Sequence, residues 1–349
     1  MKDDAHEGEA VFVEAAARLH FGVLDLRGSL GRSFGGIGAA APAPSLLLSA
    51  TRSSSLDAEG PDAERAADYA RRFLEFQRID GGAHVTVHRA LPAHSGLGSG
   101  TQLALAVARA VAELYDVHAD APALARAVGR ARRSAIGTWT FQTGGFVLEG
   151  GRRPGSDAAG PLLANLPFPA SWRCVVVVPE GTPGISGAEE AAAFASLPKP
   201  AEREVERVAH LVLMGILPAL AESDLATFGA ALSEVQEITG RWFAPVQGGA
   251  FAPGASAALV RRLAEWGASG VGQSSWGPAV YGIVDGAEAG ASLARRAREA
   301  IGGAGVVYEG AFPDRGARVW RAPDAGRELP NADRPAPSVS SRRTDARRP

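Results

Sequence analysis

The sequence predicts an α+β fold built in two parts. Period-two alternation of apolar residues is concentrated before residue 180, and amphipathic helical patterns dominate after it. The 349 residues also exceed what one core usually organises. Hydrophobic residues make up 46% and charged residues 21%, with a formal net charge of -2, so the chain has no general attraction for polyanions and nucleic acid is not an expected partner. The opening "MKDDAHEGEA" is acidic and polar, unlike a signal peptide, and no apolar run reaches membrane-spanning length. A cytoplasmic protein without a membrane partner is expected.

Taken in order, "VFVEAAARLHFGVLDL" (11–26) reads as a strand with Leu19, Phe21 and Val23 on one face. Arg18, His20 and Gly22 fall on the other, a candidate site wall. "RGSLGRSFGGIGAA" (27–40) reads as a glycine-rich loop, "SLLLSA" (45–50) as a strand, "PDAERAADYARRFLEFQ" (61–77) as a helix opened by proline, and "HVTVHRALP" (84–92) as a strand. Helical patterns follow at about 101–115 and 121–133, then the glycine-punctuated "IGTWTFQTGGFVLEGG". "RCVVVV" is a strand whose Cys174, the single cysteine, is expected to be a packed core thiol. Residues 188–240 read as helices broken near Pro218 and Ser223, 254–267 and 287–301 as helices, and "VVYEGAF" as a strand. Beyond about 323, proline, serine and charge dominate, and a disordered tail is expected.

"LPAHSGLGSGTQLALA" (91–106) carries the chemistry. A helix beginning near Thr101 leaves its first amides unpaired and its end partially positive, which suits an anion. Gly96, Gly98 and Gly100 let the main chain approach a phosphate, and Ser95, Ser99 and Thr101 add hydroxyl donors, with Leu97 and Gln102 completing the segment. A tight turn with an ordinary cap is the alternative. The spacing is neither the Walker pattern nor the dinucleotide fingerprint. Lysine is nearly absent, only Lys2 and Lys199, so side-chain anion binding falls to arginine.

This motif resembles the central turn of the GHMP superfamily of galactokinase, homoserine, mevalonate and phosphomevalonate kinases, where it cradles the phosphates of ATP. "GVGQSSWGPAVYGI" loosely resembles the superfamily's late glycine loop. The resemblance implies a GHMP-kinase-like two-part fold. An N-terminal mixed sheet with helices would span 1–180, a helix-rich α/β C-terminal part 181–322, and the tail 323–349. Kinase members use a helix glutamate for magnesium and an aspartate to orient the substrate hydroxyl. Here no carboxylate occurs from Ala121 to Gly145, where Arg130, Arg132 and Arg133 crowd instead.

"ARLHFGVLDL", "GRSFGGIG" and "GGFVLEGG" resemble a non-kinase branch, the beta-ribofuranosylaminobenzene 5'-phosphate synthases. That resemblance implies condensation of phosphoribosyl pyrophosphate with 4-hydroxybenzoate or 4-aminobenzoate, releasing pyrophosphate and carbon dioxide, toward methanopterin-type carriers, by a homodimer. On it, the turn would hold the diphosphate with magnesium bridging its oxygens. Arg18 and Arg32 would bind the 5'-phosphate or the carboxylate, with Gly35 and Gly36 alongside. His20 and His94 would move protons, Asp25 would orient His20 or touch magnesium, and Gln273, Ser274 and Ser275 would cap a phosphate. Phe34, Trp139, Phe141 and Trp276 are candidate walls of an aromatic pocket. A GHMP small-molecule kinase, using Asp25 or Glu149, and a non-catalytic binding member of the fold are the alternatives.

Overall fold

The computed structural model describes residues 9–181, 184, 185 and 187–323. The chain runs β1 (Glu9–Asp25), β2 (Phe34–Ser53), β3 (Asp57–Glu59), α1 (Ala63–Gln77), β4 (Gly82–Arg89) and α2 (Ser99–Leu114). Next come α3 (Ala121–Ala127), α4 (Ile136–Thr143), β5 (Phe146–Glu149), β6 (Leu162–Leu166), β7 (Trp172–Pro179), α5 (Gly187–Ser196) and α6 (Glu202–Leu211). A π-helical turn (Val212–Ile216) leads to α7 (Leu217–Glu222), α8 (Leu225–Gln247) and α9 (Ala255–Glu265). The described chain closes with β8 (Gly270–Gln273), β9 (Val280–Asp285), α10 (Ala287–Ile301), β10 (Gly305–Ala311) and β11 (Arg318–Pro323).

The first sheet has the order β11-β1-β2-β4-β3, and β5 pairs with the N-terminal half of β2 and then with β6. It is mixed, because β3 runs parallel to β4 while the other pairs are antiparallel. Alternation in β1 buries Val11, Val13, Ala15, Ala17, Leu19 and Phe21. The second sheet, β10-β7-β9-β8, is antiparallel throughout. α2 is apolar nearly all round because it is enclosed by the first sheet, α1, α3 and α4. Its alanines let those neighbours come close. α8 joins the two sheets: its Gln236 Nε2 donates to Phe21 O on β1, and its Oε1 accepts Gln273 N at 2.8 Å on β8.

Several expectations are corrected. The glycine loop is shorter than 27–40, since β2 begins at Phe34. Its Gly and Ala residues are there because the sheet is crowded: a Cβ on Gly38 would lie 2.4 Å from Leu19 O and 2.4 Å from the Ile136 side chain. The helix expected over 121–133 stops at Ala127, because Gly129 and Ala131 take positive φ, and "IGTWTFQT" forms α4 instead. Pro218 does not break its helix. It falls in the first turn of α7, after a wider π turn, and the break is at Ser223 (φ 61°), with Asp224 capping Thr227 N.

The expected boundary at 180 moves as well, because β7 pairs with β9 and β10 in the second sheet. β11 returns to β1 in the first, so the chain ends its described course where it began. The expected tail lies outside the described residues, except that Pro323 ends β11. Among the described residues no helix is long and apolar enough to cross a membrane. Cys174 is buried as expected, and burial pushes its thiol far above its ordinary range.

Candidate functional site

The glycine turn is closed from within. Buried Ser95 donates its Oγ to Pro92 O at 2.8 Å, and Gly96 O accepts Arg18 Nη1 at 2.6 Å and Ser274 Oγ at 2.7 Å. Gly96 has φ +81°, and a Cβ on it would lie 2.1 Å from Ser274 O, so the two glycine loops touch backbone to backbone. Gly98 caps α2 in a left-handed conformation, and its carbonyl accepts both Thr101 N and Gln102 N at 3.0 Å. The amides of Ser99 and Gly100 have no acceptor among the described residues. A glycine cap brings no side chain to cover them, and no acid occupies the first turn.

Cations crowd this end of α2, which is already partially positive. The Arg18 stem lies against Gly98, where a Cβ would come within 2.7 Å of its Cγ. Gly100 admits two more: a Cβ there would be 2.7 Å from Arg65 Nη2 and 3.0 Å from Arg130 Nη2. Arg65 is paired with Asp62 at 3.0 Å, whereas Arg130 lies over the Tyr69 ring and donates to its hydroxyl. Like charges gathered on a helix N-terminus oppose one another and attract an anion strongly.

Beside the turn is a cavity of about 250 Å³ with two kinds of wall. One carries Arg18, Thr101, Arg130, Arg132 and Arg133, and the other Phe34, Phe194, Phe243 and Trp276. The four rings pack edge to face. Phe194 meets Phe34 at 5.6 Å, Phe243 at 5.7 Å and Trp276 at 5.6 Å, and Phe243 meets Trp276 at 4.8 Å. Arg133 lies over Phe194 at 5.4 Å and pairs with Glu190, one turn earlier on α5. Exposed Arg132 has no side-chain partner among the described residues.

His20 is buried behind Arg18, its backbone amide donating to Ser274 Oγ at 3.0 Å. Burial, and then the Arg18 charge, push its imidazole down to about 3, so it is neutral near pH 7. Burial also lowers Arg18 to about 10, an effect the Glu190 charge opposes, and Arg18 stays charged. Glu149 is fully buried. It accepts Ala135 N at 3.2 Å and Gly151 N at 2.7 Å, and burial raises it to about 7 despite those bonds.

The structure brings Arg18, His20, Gly35, Thr101, Gln273 and Ser275 onto the cavity wall. Ser274 lies buried between His20 and Gly96, and Ser99 and Gly100 form the head of α2. Gly36 leaves room for the imidazole, whose atoms come within 3.5 Å of where its Cβ would be. Other expected residues have structural work. Leu97 is core, and buried Gln102 donates to Gly137 O at 3.0 Å behind α2. Asp25 Oδ1 accepts the amides of Arg27 and Gly28 at 2.6 and 2.9 Å, which fixes the loop rather than His20. Arg32 donates to Gly150 O and Gly151 O at 2.9 and 3.1 Å, and burying those carbonyls at the loop base keeps it off the cavity wall.

His94 is exposed and also off that wall, in a left-handed turn whose carbonyl accepts Gly184 N at 2.8 Å. Phe34 and Trp276 line the cavity as expected. Trp139 instead donates to Gly160 O at 2.8 Å, and Phe141 is core. Sequence reasoning missed Glu190 and Phe194, whose four-residue spacing on a helix was the available signal, and Gln236, Thr239 and Phe243, which share one face of α8. Among the described residues no group of three or more His, Cys, Asp or Glu is placed to hold a metal ion.

Known proteins resemble the chain on both levels. The description "GHMP kinases N terminal domain" matches residues 63–140, and "GHMP kinases C terminal" matches 216–302. Beta-ribofuranosylphenol 5'-phosphate synthase of Methanothermobacter thermautotrophicus is 34% identical over 325 residues, covering 86% of this chain and 96% of that protein. The protein of the same name from Archaeoglobus fulgidus is 36% identical over 283 residues, 77% of this chain and 86% of its own. Homoserine kinase from Cytophaga hutchinsonii superposes with a TM-score of 0.64 at 16% identity, over 92% of this chain and 100% of that one. Mevalonate pyrophosphate decarboxylase from Streptococcus pyogenes gives 0.63 at 14%, over 87% and 97%. These two solved structures share the fold.

Proposed function

Because the chain belongs to the beta-ribofuranosylphenol 5'-phosphate synthase family, within the GHMP fold, we propose that it is a decarboxylating pentosyltransferase. It joins the ribosyl carbon of phosphoribosyl pyrophosphate to 4-hydroxybenzoate and releases pyrophosphate and carbon dioxide, a step toward methanopterin-type carriers. The phenol in the relatives' names favours the hydroxyl acceptor over the amine. One observation supports this reading above others: the cationic head of α2 adjoins an aromatic box, an arrangement suited to a diphosphate beside a flat ring.

The diphosphate lies at the amides of Ser99 and Gly100, with the Thr101 hydroxyl and the guanidinium groups of Arg18 and Arg130. These donors are strongest for the charge that develops as the bond from C1 to oxygen breaks. Arg132 is free for the 5'-phosphate. The ring lies among Phe34, Phe194, Phe243 and Trp276, and neutral His20 serves as a hydrogen-bonding group at the sugar rather than as a proton shuttle. Among the described residues no group of three or more His, Cys, Asp or Glu is placed to hold a metal ion, and Asp25 Oδ1 already holds two amides, so magnesium would enter with the substrate and offset the charge of its diphosphate. A homodimer belongs to the same proposal.

Incubation with phosphoribosyl pyrophosphate, magnesium and carboxyl-labelled 4-hydroxybenzoate should release labelled carbon dioxide and pyrophosphate in equal amounts. ATP consumption with no labelled gas would replace the synthase with a kinase.

A further inference from the structure

Glu190 is the one carboxylate on the cavity wall among the described residues. Its Oε2 is held by Arg133, while Oε1 has no hydrogen-bond partner among the described residues, and the side chain is 23% exposed. It lies four residues before Phe194, on the same face of α5, and Arg133 covers the Phe194 ring. A ring seated in the aromatic box therefore has its edge beside this ion pair. Glu189 and Glu190 both stand in the first turn of α5, which favours acids, but Glu189 is exposed and only Glu190 lines the cavity. The other titratable side chains on the wall are Arg18, Arg130, Arg132 and Arg133, which are cations, and His20, which is neutral.

The pair offers an acceptor, Glu190 Oε1, beside a donor, Arg133. A phenolic hydroxyl donates and accepts and so satisfies both. An aromatic amine donates, but its lone pair is drawn into the ring and leaves Arg133 unmatched. Resting on the synthase reading, we infer that Glu190, positioned by Arg133, is the general base for the para-hydroxyl and selects a phenol over an aniline.

The step balances. The ring carbon bearing the carboxylate forms a bond to ribosyl C1, and the bond from C1 to oxygen breaks with its electron pair leaving on the diphosphate. The hydroxyl proton passes to Glu190, and the ring becomes a cyclohexadienone. The bond to the carboxylate then breaks, carbon dioxide departs, its electron pair restores aromaticity, and the oxygen takes the proton back from Glu190. The same residue acts as base and then as acid, and no co-reactant is consumed.

The test compares wild type with Glu190→Gln, assayed with labelled 4-hydroxybenzoate and with its 3,5-difluoro derivative, whose hydroxyl is ionised at neutral pH. Glu190→Gln should lose about 100-fold or more in kcat with the parent acceptor. At least tenfold of that deficit, relative to wild type, should return with the difluoro acceptor, which has no proton to give up. Turnover within threefold of wild type, or a deficit that fluorination leaves unchanged, overturns the inference. Wild type supplies a second measurement that needs no substitution: by calorimetry, 4-hydroxybenzoate should bind at least tenfold more tightly than 4-aminobenzoate, and equal affinities count against Glu190. If wild type releases no labelled carbon dioxide at all, it is the synthase reading that fails, and the two failures stay distinct.

Discussion

His20 shows how far a side chain's chemistry depends on its seat. As a residue type it titrates near neutrality, but enclosed behind Arg18 its value falls from 6.5 to about 3. The neutral form's contribution to stability is therefore present above the unfolded value and is lost as pH falls through the folded one. Proton NMR should show no His20 titration between pH 8 and 5, and a midpoint near 6.5 would contradict its burial. Gly96 makes the complementary point about backbone. Gly96→Ala adds a Cβ 2.1 Å from Ser274 O at a φ of +81°, and chemical denaturation should record a loss of about 3 kcal/mol. The glycines of this turn were legible because glycine followed by an apolar helix has few other uses. Asp25, Arg32 and His94 were not, because a sequence does not say which way a side chain at a strand end or in a loop turns.

Among the elements, α2 was legible and α4 was not. α2 is a long apolar run with an unmistakable start, whereas "IGTWTFQT" is short, β-rich in composition, interrupted by Gly137 and followed by two more glycines, and it becomes helical where it packs among β2, α2 and α3. α5 escaped notice as a site element because Glu190 and Phe194 stand in a run of alanines that reads as surface. The start of α4 carries a measurable consequence. Glu149 accepts Ala135 N there, and burial raises it from 4.5 to about 7. Since the folded value lies above the unfolded one, this group's contribution is fully present below 4.5 and is lost as pH rises through about 7. Stability measured by urea unfolding should decline across that window by on the order of 3 kcal/mol at most, and Glu149→Gln should flatten the decline.

At the scale of the molecule, two parts were legible from the change in periodicity, but their seam was not. β7 precedes residue 180 and yet belongs to the second sheet, and β11 follows the second sheet and yet completes the first. Strand pairing over such separations leaves no local mark. β11 covers the edge of β1, and its Trp320 stacks on Phe12 at 5.4 Å. Ending the chain after Ala317 should expose that edge, lower the melting temperature by several degrees and promote concentration-dependent association, as light scattering would record. The Ser274 hydroxyl has the widest consequence. It accepts from the main chain of β1 and donates to Gly96, so one small buried group ties the halves together next to the cavity wall. Parting the halves would cost both of these hydrogen bonds, so on the proposed reading thermal inactivation should track global melting, and activity lost well below the melting temperature would count against it.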